Sequence, residues 1–126
     1  MNAPSESPFK GKTGLRRVLN AFHYSLSGLR AAYTCEDAFR QEALLAALLI
    51  PLALYLPVSG LGRALMISSV LLVLIIELIN SAVEATVDRI SLDNHRLAKR
   101  AKDIGSAAVL FALINLMGVW ICVLWG

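Results

Sequence analysis

Residues 104–126 read IGSAAVLFALINLMGVWICVLWG, a stretch of 23 residues without a charged side chain. At a rise of about 1.5 Å per residue, a helix of this length crosses the roughly 30 Å of hydrocarbon in a lipid bilayer. Residues 43–62 form a second charge-free run, and residues 64–87 are apolar apart from Glu77 and Glu84. The sequence therefore predicts three membrane-spanning helices, at about 40–58, 62–90 and 100–125.

The overall composition indicates the same class of protein. The chain has 126 residues, of which 57% are hydrophobic and only 17% are charged. One soluble domain of this size could not bury so much apolar surface, so lipid must cover the rest. The net charge of +3 has no accompanying pattern of alternating aromatic and basic residues, and we expect no nucleic-acid partner. The predicted fold is an all-α integral membrane protein with a single domain, residues 1–126.

The N-terminal part has a different pattern from the spans. Apolar residues such as Leu15, Val18 and Phe22 recur every three or four positions, with polar and basic residues between them. This period predicts an amphipathic helix over residues 15–34 that lies on the membrane surface. Residues 1–14, which contain prolines and serines, are predicted to be a disordered tail.

The lysines and arginines are distributed unevenly, which predicts the orientation in the membrane. Six lie in residues 1–42 and five in residues 89–102, whereas Arg63 alone lies in the short turn between the first two spans. Cytoplasmic loops carry the excess of positive charge. We therefore expect a cytoplasmic N-terminus and, after three spans, a periplasmic C-terminus.

Polar residues in the second span form a stripe along one side of the helix, since they are spaced by three, four or seven positions. They are Glu77, Asn80, Ser81, Glu84 and Asp88. Counted from Arg63 at the outer boundary, Glu77 lies roughly 21 Å and Glu84 roughly 31 Å across the bilayer. Ionisable groups within a span are costly and usually mark a functional site.

Other parts of the chain deliver charged groups to the same cytoplasmic layer. Lys102 and Asp103 open the third span, Glu42 opens the first, and Glu36 lies just before it. Carboxylates suit Mg²⁺ held together with substrate phosphates, and a lysine suits a phosphate. Two alternatives remain: the polar residues could serve only to hydrogen-bond the helices together, or Glu77 could bind a cation in a small ion-coupled transporter.

Four segments of the sequence resemble the small bacterial membrane diacylglycerol kinases. They are SGLRAAY at 27–33, EDAFRQE at 36–42, ISSVLLVLIIELINSAVEATVDRI at 67–90 and AKDIGSAAVL at 101–110. The resemblance implies a homotrimeric helical bundle of three-span protomers, each with a surface helix. It also implies transfer of the γ-phosphate of MgATP to diacylglycerol, which yields phosphatidic acid for lipid recycling at the cytoplasmic face of the inner membrane. Undecaprenol kinases share this core, so undecaprenol is the alternative acceptor.

The same resemblance implies roles for individual residues. Glu77 corresponds to the general base, and Glu36 and Glu84 correspond to the metal ligands. The implied ATP-binding residues are Arg17, Tyr24, Glu36, Glu84, His95, Lys102 and Asp103. The implied lipid-substrate residues are Arg17, Arg30, Phe39, Gln41, Glu42, Glu77, Asn80 and Lys102.

A lone protomer would leave part of the polar stripe facing lipid, where an unpaired carboxylate is costly. Small side chains such as Ser81 and Ala85 allow close approach of another helix. We therefore expect the stripe to be covered by Lys102 and Asp103 of a neighbouring protomer, in keeping with the trimer that the resemblance implies.

Overall fold

The computed structural model describes residues 14–90 and 95–126, which form four helices. These are α1 (Gly14–Cys35), α2 (Asp37–Tyr55), α3 (Gly60–Ile90) and α4 (Arg96–Trp125). Helices α2, α3 and α4 are each long and apolar enough to cross a membrane, which confirms the prediction of three spans. The expected disordered tail lies, apart from Gly14, outside the described residues.

The chain divides into two compact units, residues 1–31 and residues 32–126. The described part of the first unit is helical, as predicted from its apolar period, and most of its side chains are exposed. The exposed set includes large apolar residues such as Leu15, Val18 and Phe22. Apolar side chains of this size need cover, and a membrane surface would provide it.

In the second unit, α3 packs against both α2 and α4. The apolar core joins all three helices and consists of Ala46, Ala53, Met66, Val70 and Trp120. The Trp120 indole Nε1 donates a hydrogen bond to the Met66 carbonyl at 3.2 Å, so its one polar atom is satisfied inside the core. This core lies toward the Arg63 end of α3, which leaves the opposite end for the polar residues.

The helix ends differ from the sequence-based bounds by a few residues, and two of these differences have a clear local cause. Helix α2 stops before Leu56, rather than at about residue 58, because Pro57 disfavours helical backbone in the residue before it. Leu56 is accordingly extended, with φ −67° and ψ 143°. Helix α4 begins directly after His95, rather than at about residue 100, since the His95 Nδ1 accepts a hydrogen bond from the Leu97 N–H at 3.0 Å.

Arg63 closes the turn between α2 and α3. Its Nε donates to the Ala53 carbonyl at 3.0 Å, and its Nη2 donates to the carbonyls of Leu56 and Val58 at 3.0 and 3.4 Å. These carbonyls lie at the C-terminal end of α2, where a helix provides no partners of its own.

We expect Arg63→Met to lower the free energy of unfolding by about 3 kcal/mol, because partly buried carbonyls lose charged hydrogen bonds. Thermal unfolding in detergent would measure the change. Arg89→Met removes an exposed arginine at the other end of α3 and should have little effect. Equal losses in the two variants would contradict a specific role of Arg63 in the turn.

Candidate active site

Part of the polar stripe of α3 faces the interior of the bundle, where α3 packs against α2 and α4. Glu77 is 4% exposed and Asn80 is 7% exposed, whereas Glu84 is half-buried. The Asn80 amide Nδ2 donates a hydrogen bond to the Glu84 Oε1 at 3.2 Å. Asn80 therefore fixes the orientation of the Glu84 carboxylate, one turn further along the helix.

Helix α2 adds a second, half-buried carboxyl beside Glu77. The side chain of Glu42 lies close enough to the Glu77 side chain for the two groups to interact electrostatically. The Oε2 of Glu42 is buried and has no hydrogen-bond partner within the described part of the chain. The two side chains thus form a carboxyl pair inside the bundle.

Glu36 occupies the N-cap position of α2, but its side chain makes no capping hydrogen bond. Its carboxylate therefore remains available for another partner. Burial raises the pKa of Glu36, and the negative charges of Glu84, Glu77, Asp37 and Asp88 raise it further. A cation placed among these carboxylates would relieve the repulsion that raises this pKa.

Lys102 approaches the same stripe from α4. Its Nζ lies 2.7 Å from the Asp88 Oδ1, and the two side chains are 42% and 47% exposed. In the single chain, Lys102 thus reaches α3 of its own protomer. The supply of Lys102 and Asp103 to the stripe by a neighbouring protomer stays a prediction.

Asp103 faces a different side of α4. Its Oδ2 forms an ion pair with the Lys99 Nζ at 2.7 Å, and both side chains are exposed. A surface pocket of about 420 Å³ lies along this face, lined by Arg96, Lys99, Arg100, Asp103, Ile104 and Ala107. The pocket has three cations and one carboxylate, which favours an anionic occupant.

The remaining predicted site residues are dispersed. Phe39 is buried within the bundle and Gln41 is exposed, and His95 is held at the start of α4 by its hydrogen bond from Leu97. Arg17, Tyr24 and Arg30 lie on α1, in the first of the two units. Within the second unit, Lys102 lies near Asp88 and Glu84 of α3, and Glu42 of α2 lies near Glu77.

Known proteins resemble this chain over most of its length. A sequence model of prokaryotic diacylglycerol kinase matches residues 23–124. The chain belongs to the prokaryotic diacylglycerol kinase family.

Several relatives of known name match nearly the whole chain. A diacylglycerol kinase of Pseudomonas aeruginosa is 57% identical, over 97% of this chain and 99% of the relative. One from Escherichia coli is 50% identical, over 90% and 93% of the two chains. One from Helicobacter pylori is 44% identical, over 91% and 89%. The likeness therefore includes α1 and all three long apolar helices.

The donor atoms of this diacylglycerol kinase family member fit a hard divalent cation such as Mg²⁺. The Asn80 Oδ1 is buried without a hydrogen-bond partner in the described ranges, and the carboxylates of Glu84 and Glu36 influence each other electrostatically. Among residues 14–90 and 95–126, no three acidic, histidine or cysteine side chains converge on one point. Mg²⁺ is commonly held by one or two carboxylates together with substrate phosphates, so such a site is complete only with the nucleotide.

Proposed function

We propose that this chain phosphorylates diacylglycerol with MgATP to form phosphatidic acid, at the cytoplasmic face of the bacterial inner membrane, and serves lipid recycling. One observation carries the proposal. The buried Glu77 lies on the same stripe as the Asn80–Glu84 pair and next to Glu42. A membrane-embedded base is thereby placed beside groups that suit a metal–phosphate complex. Membership of the diacylglycerol kinase family supports the choice of acceptor.

Glu77 is the group best placed to take the proton from the lipid hydroxyl. A base must lie within hydrogen-bonding distance of the proton that it removes, and a hydroxyl in the membrane can reach a buried residue on a span. Phe39, Gln41, Arg30 and Arg17, with Asn80, are assigned to the surroundings of the lipid.

The phosphates of ATP are assigned to the cytoplasmic end of the bundle. Glu36 and Glu84 would hold Mg²⁺, which when bound neutralises phosphate charge during transfer. Lys102 would contact a phosphate, and Asp103 lies beside a pocket that has three cations. His95, Tyr24 and Arg17 are assigned to the nucleotide.

Three of these chains are proposed to form the working enzyme. Large apolar side chains on the outer faces of α2, α3 and α4 are exposed in the single chain, among them Leu48, Ile75 and Phe111. Lipid and neighbouring protomers would cover these faces, since the exposed side chains are apolar. Helix α1 is assigned to the membrane surface, with its apolar period toward lipid.

Asp88 is expected to influence ATP use through Lys102. In Asp88→Asn the half-exposed ion pair is lost, which should cost at most about 1 kcal/mol of stability. We expect kcat to fall because Lys102 is no longer held, whereas the KM for ATP should not rise, because a carboxylate that competes with phosphate has been removed. Steady-state kinetics would separate the two constants.

Asp37→Asn is the matched control, because it removes the exposed ion pair between Asp37 and Arg40 without touching Lys102. A higher KM for ATP with an unchanged kcat in Asp88→Asn would contradict the proposed relation between Asp88 and Lys102.

The proposed orientation gives a further prediction, which rests on the uneven distribution of lysine and arginine. Alkaline phosphatase fused after Gly126 should be active, because that enzyme folds only outside the cytoplasm, whereas the same fusion within residues 91–94 should be inactive. Activity of the second fusion and not the first would reverse the orientation and place the proposed site on the wrong side for ATP.

Purified protein in mixed micelles tests the function itself. With MgATP and diacylglycerol we expect ADP and phosphatidic acid in equal amounts. ADP without phosphatidic acid would indicate hydrolysis rather than lipid phosphorylation. Absence of both products would reject the kinase and favour a transporter or a purely structural role for the stripe.

A further inference from the structure

Gly105 lies where α4 crosses the polar stripe of α3. A Cβ atom built on Gly105 would overlap with the Asn80 Oδ1, and it would lie 3.1 Å from the Asn80 Cγ and 3.9 Å from the Asn80 Cβ. The three nearest atoms thus all belong to one side chain. The absence of a side chain at Gly105 is what leaves room for Asn80 in its observed position.

Asn80 has little freedom to avoid such an overlap. Its side chain is 7% exposed, and its Nδ2 donates to the Glu84 Oε1 at 3.2 Å. Its Oδ1 is buried and has no hydrogen-bond partner in the described residues. Rotation of the amide away from an added methyl group would therefore break the hydrogen bond to Glu84.

The effect would pass from α4 to the proposed metal ligand. Glu84 is half-buried, and the Asn80 amide orients one of its two oxygens. Groups that orient a metal ligand commonly change metal affinity or activity when they are lost. A displacement of about 1 Å in such a group can reduce a rate by as much as about 100-fold.

We propose that Gly105 is a positioning residue, whose lack of a side chain allows Asn80 to hold Glu84 in the orientation that receives the Mg²⁺ of the nucleotide. This inference rests on the proposed kinase function. Gly105 would act on the site only through Asn80, whose amide is hydrogen-bonded to Glu84.

Gly105→Ala tests the inference, with Gly118→Ala as the matched control. Both glycines lie within α4, and a Cβ atom on Gly118 would meet nothing within 4 Å. Alanine is favoured over glycine in a helix, so the control should retain its activity and stability. For Gly105→Ala we expect kcat to fall by about 10- to 100-fold. The Mg²⁺ concentration for half-maximal rate should rise as well, because Glu84 has lost its orienting partner.

Asn80→Ala provides the second arm of the experiment. It removes both the Oδ1 and the Cγ that an alanine at 105 would meet, so Gly105→Ala should cause no further loss of rate or of Tm in that background. A merely structural role in helix packing would lower Tm equally in both backgrounds and leave the Mg²⁺ dependence unchanged. That result would overturn the inference.

The outcomes separate this inference from the kinase assignment. If the unaltered chain phosphorylates diacylglycerol and Gly105→Ala does so with the same kcat and Mg²⁺ dependence, only the role of Gly105 is overturned. If the unaltered chain is inactive, the proposed function is rejected, and the role of Gly105 with it. If Gly105→Ala does not fold but the double variant does, the contact with Asn80 is supported; failure of both to fold overturns it.

Discussion

Glu84→Gln is expected to abolish phosphate transfer while leaving a folded oligomer. Glutamine keeps the shape of the side chain and an oxygen that can still accept the Asn80 hydrogen bond, which is 3.2 Å long in the structure. It lacks the negative charge that Mg²⁺ requires of its few protein ligands. We expect kcat to fall by at least about 100-fold. This loss is larger than is common for a residue that only orients a metal ligand.

Two measurements on the same preparation would show whether activity is lost through weaker Mg²⁺ binding or through loss of the oligomer. Gel filtration in detergent reports the oligomer, and a Mg²⁺ titration reports whether high metal concentration restores any rate. Ser68→Ala is a suitable control, because Ser68 is an exposed polar residue of α3 away from the stripe. If Glu84→Gln lost its oligomer in parallel with its activity, the residue would serve mainly to hold helices together.

Glu77→Gln is expected to lower kcat by about 100- to 10,000-fold, the range that a general base commonly contributes. An amide cannot take the proton of the lipid hydroxyl. It keeps the size and shape of the side chain beside Glu42, so the variant should fold and the KM for ATP should change little. Initial rates at several ATP concentrations would separate these effects.

Glu42→Gln makes the same chemical change in the partner carboxyl. If Glu77 is the base, Glu42→Gln leaves the base in place and should lose far less activity than Glu77→Gln. The reverse order, with Glu42→Gln the more damaging change, would exchange the roles of the two carboxyls.

The three spans could be predicted from the sequence because each is a long apolar run, and this property does not depend on what the helix packs against. The stripe of Glu77, Asn80 and Glu84 was also predictable, since residues three, four or seven positions apart share one side of a helix. The structure places the first two inside the bundle. The spacing of the polar residues predicts that they share one side of the helix, but not that the chain's own helices bury Glu77 and Asn80.

Contacts between helices were not predictable in the same way. The pairing of Lys102 with Asp88 depends on the lengths and relative rotation of α3 and α4, which the residue pattern does not specify. The same holds for the close approach of Gly105 to Asn80. Local effects also decide where the helices end. Because of Pro57, α2 ends before its predicted end, and because His95 caps α4, that helix begins before its predicted start.

Transfer of labelled phosphate to a lipid would show whether this chain is a diacylglycerol kinase. Purified chain is incubated with Mg²⁺ and with ATP labelled in the γ-phosphate, and diacylglycerol and undecaprenol are offered side by side in the same micelles. We expect label in phosphatidic acid, a dependence of this labelling on Mg²⁺, and no label with Glu84→Gln. Label in undecaprenyl phosphate alone would contradict the assigned acceptor, and label in neither lipid would contradict the kinase.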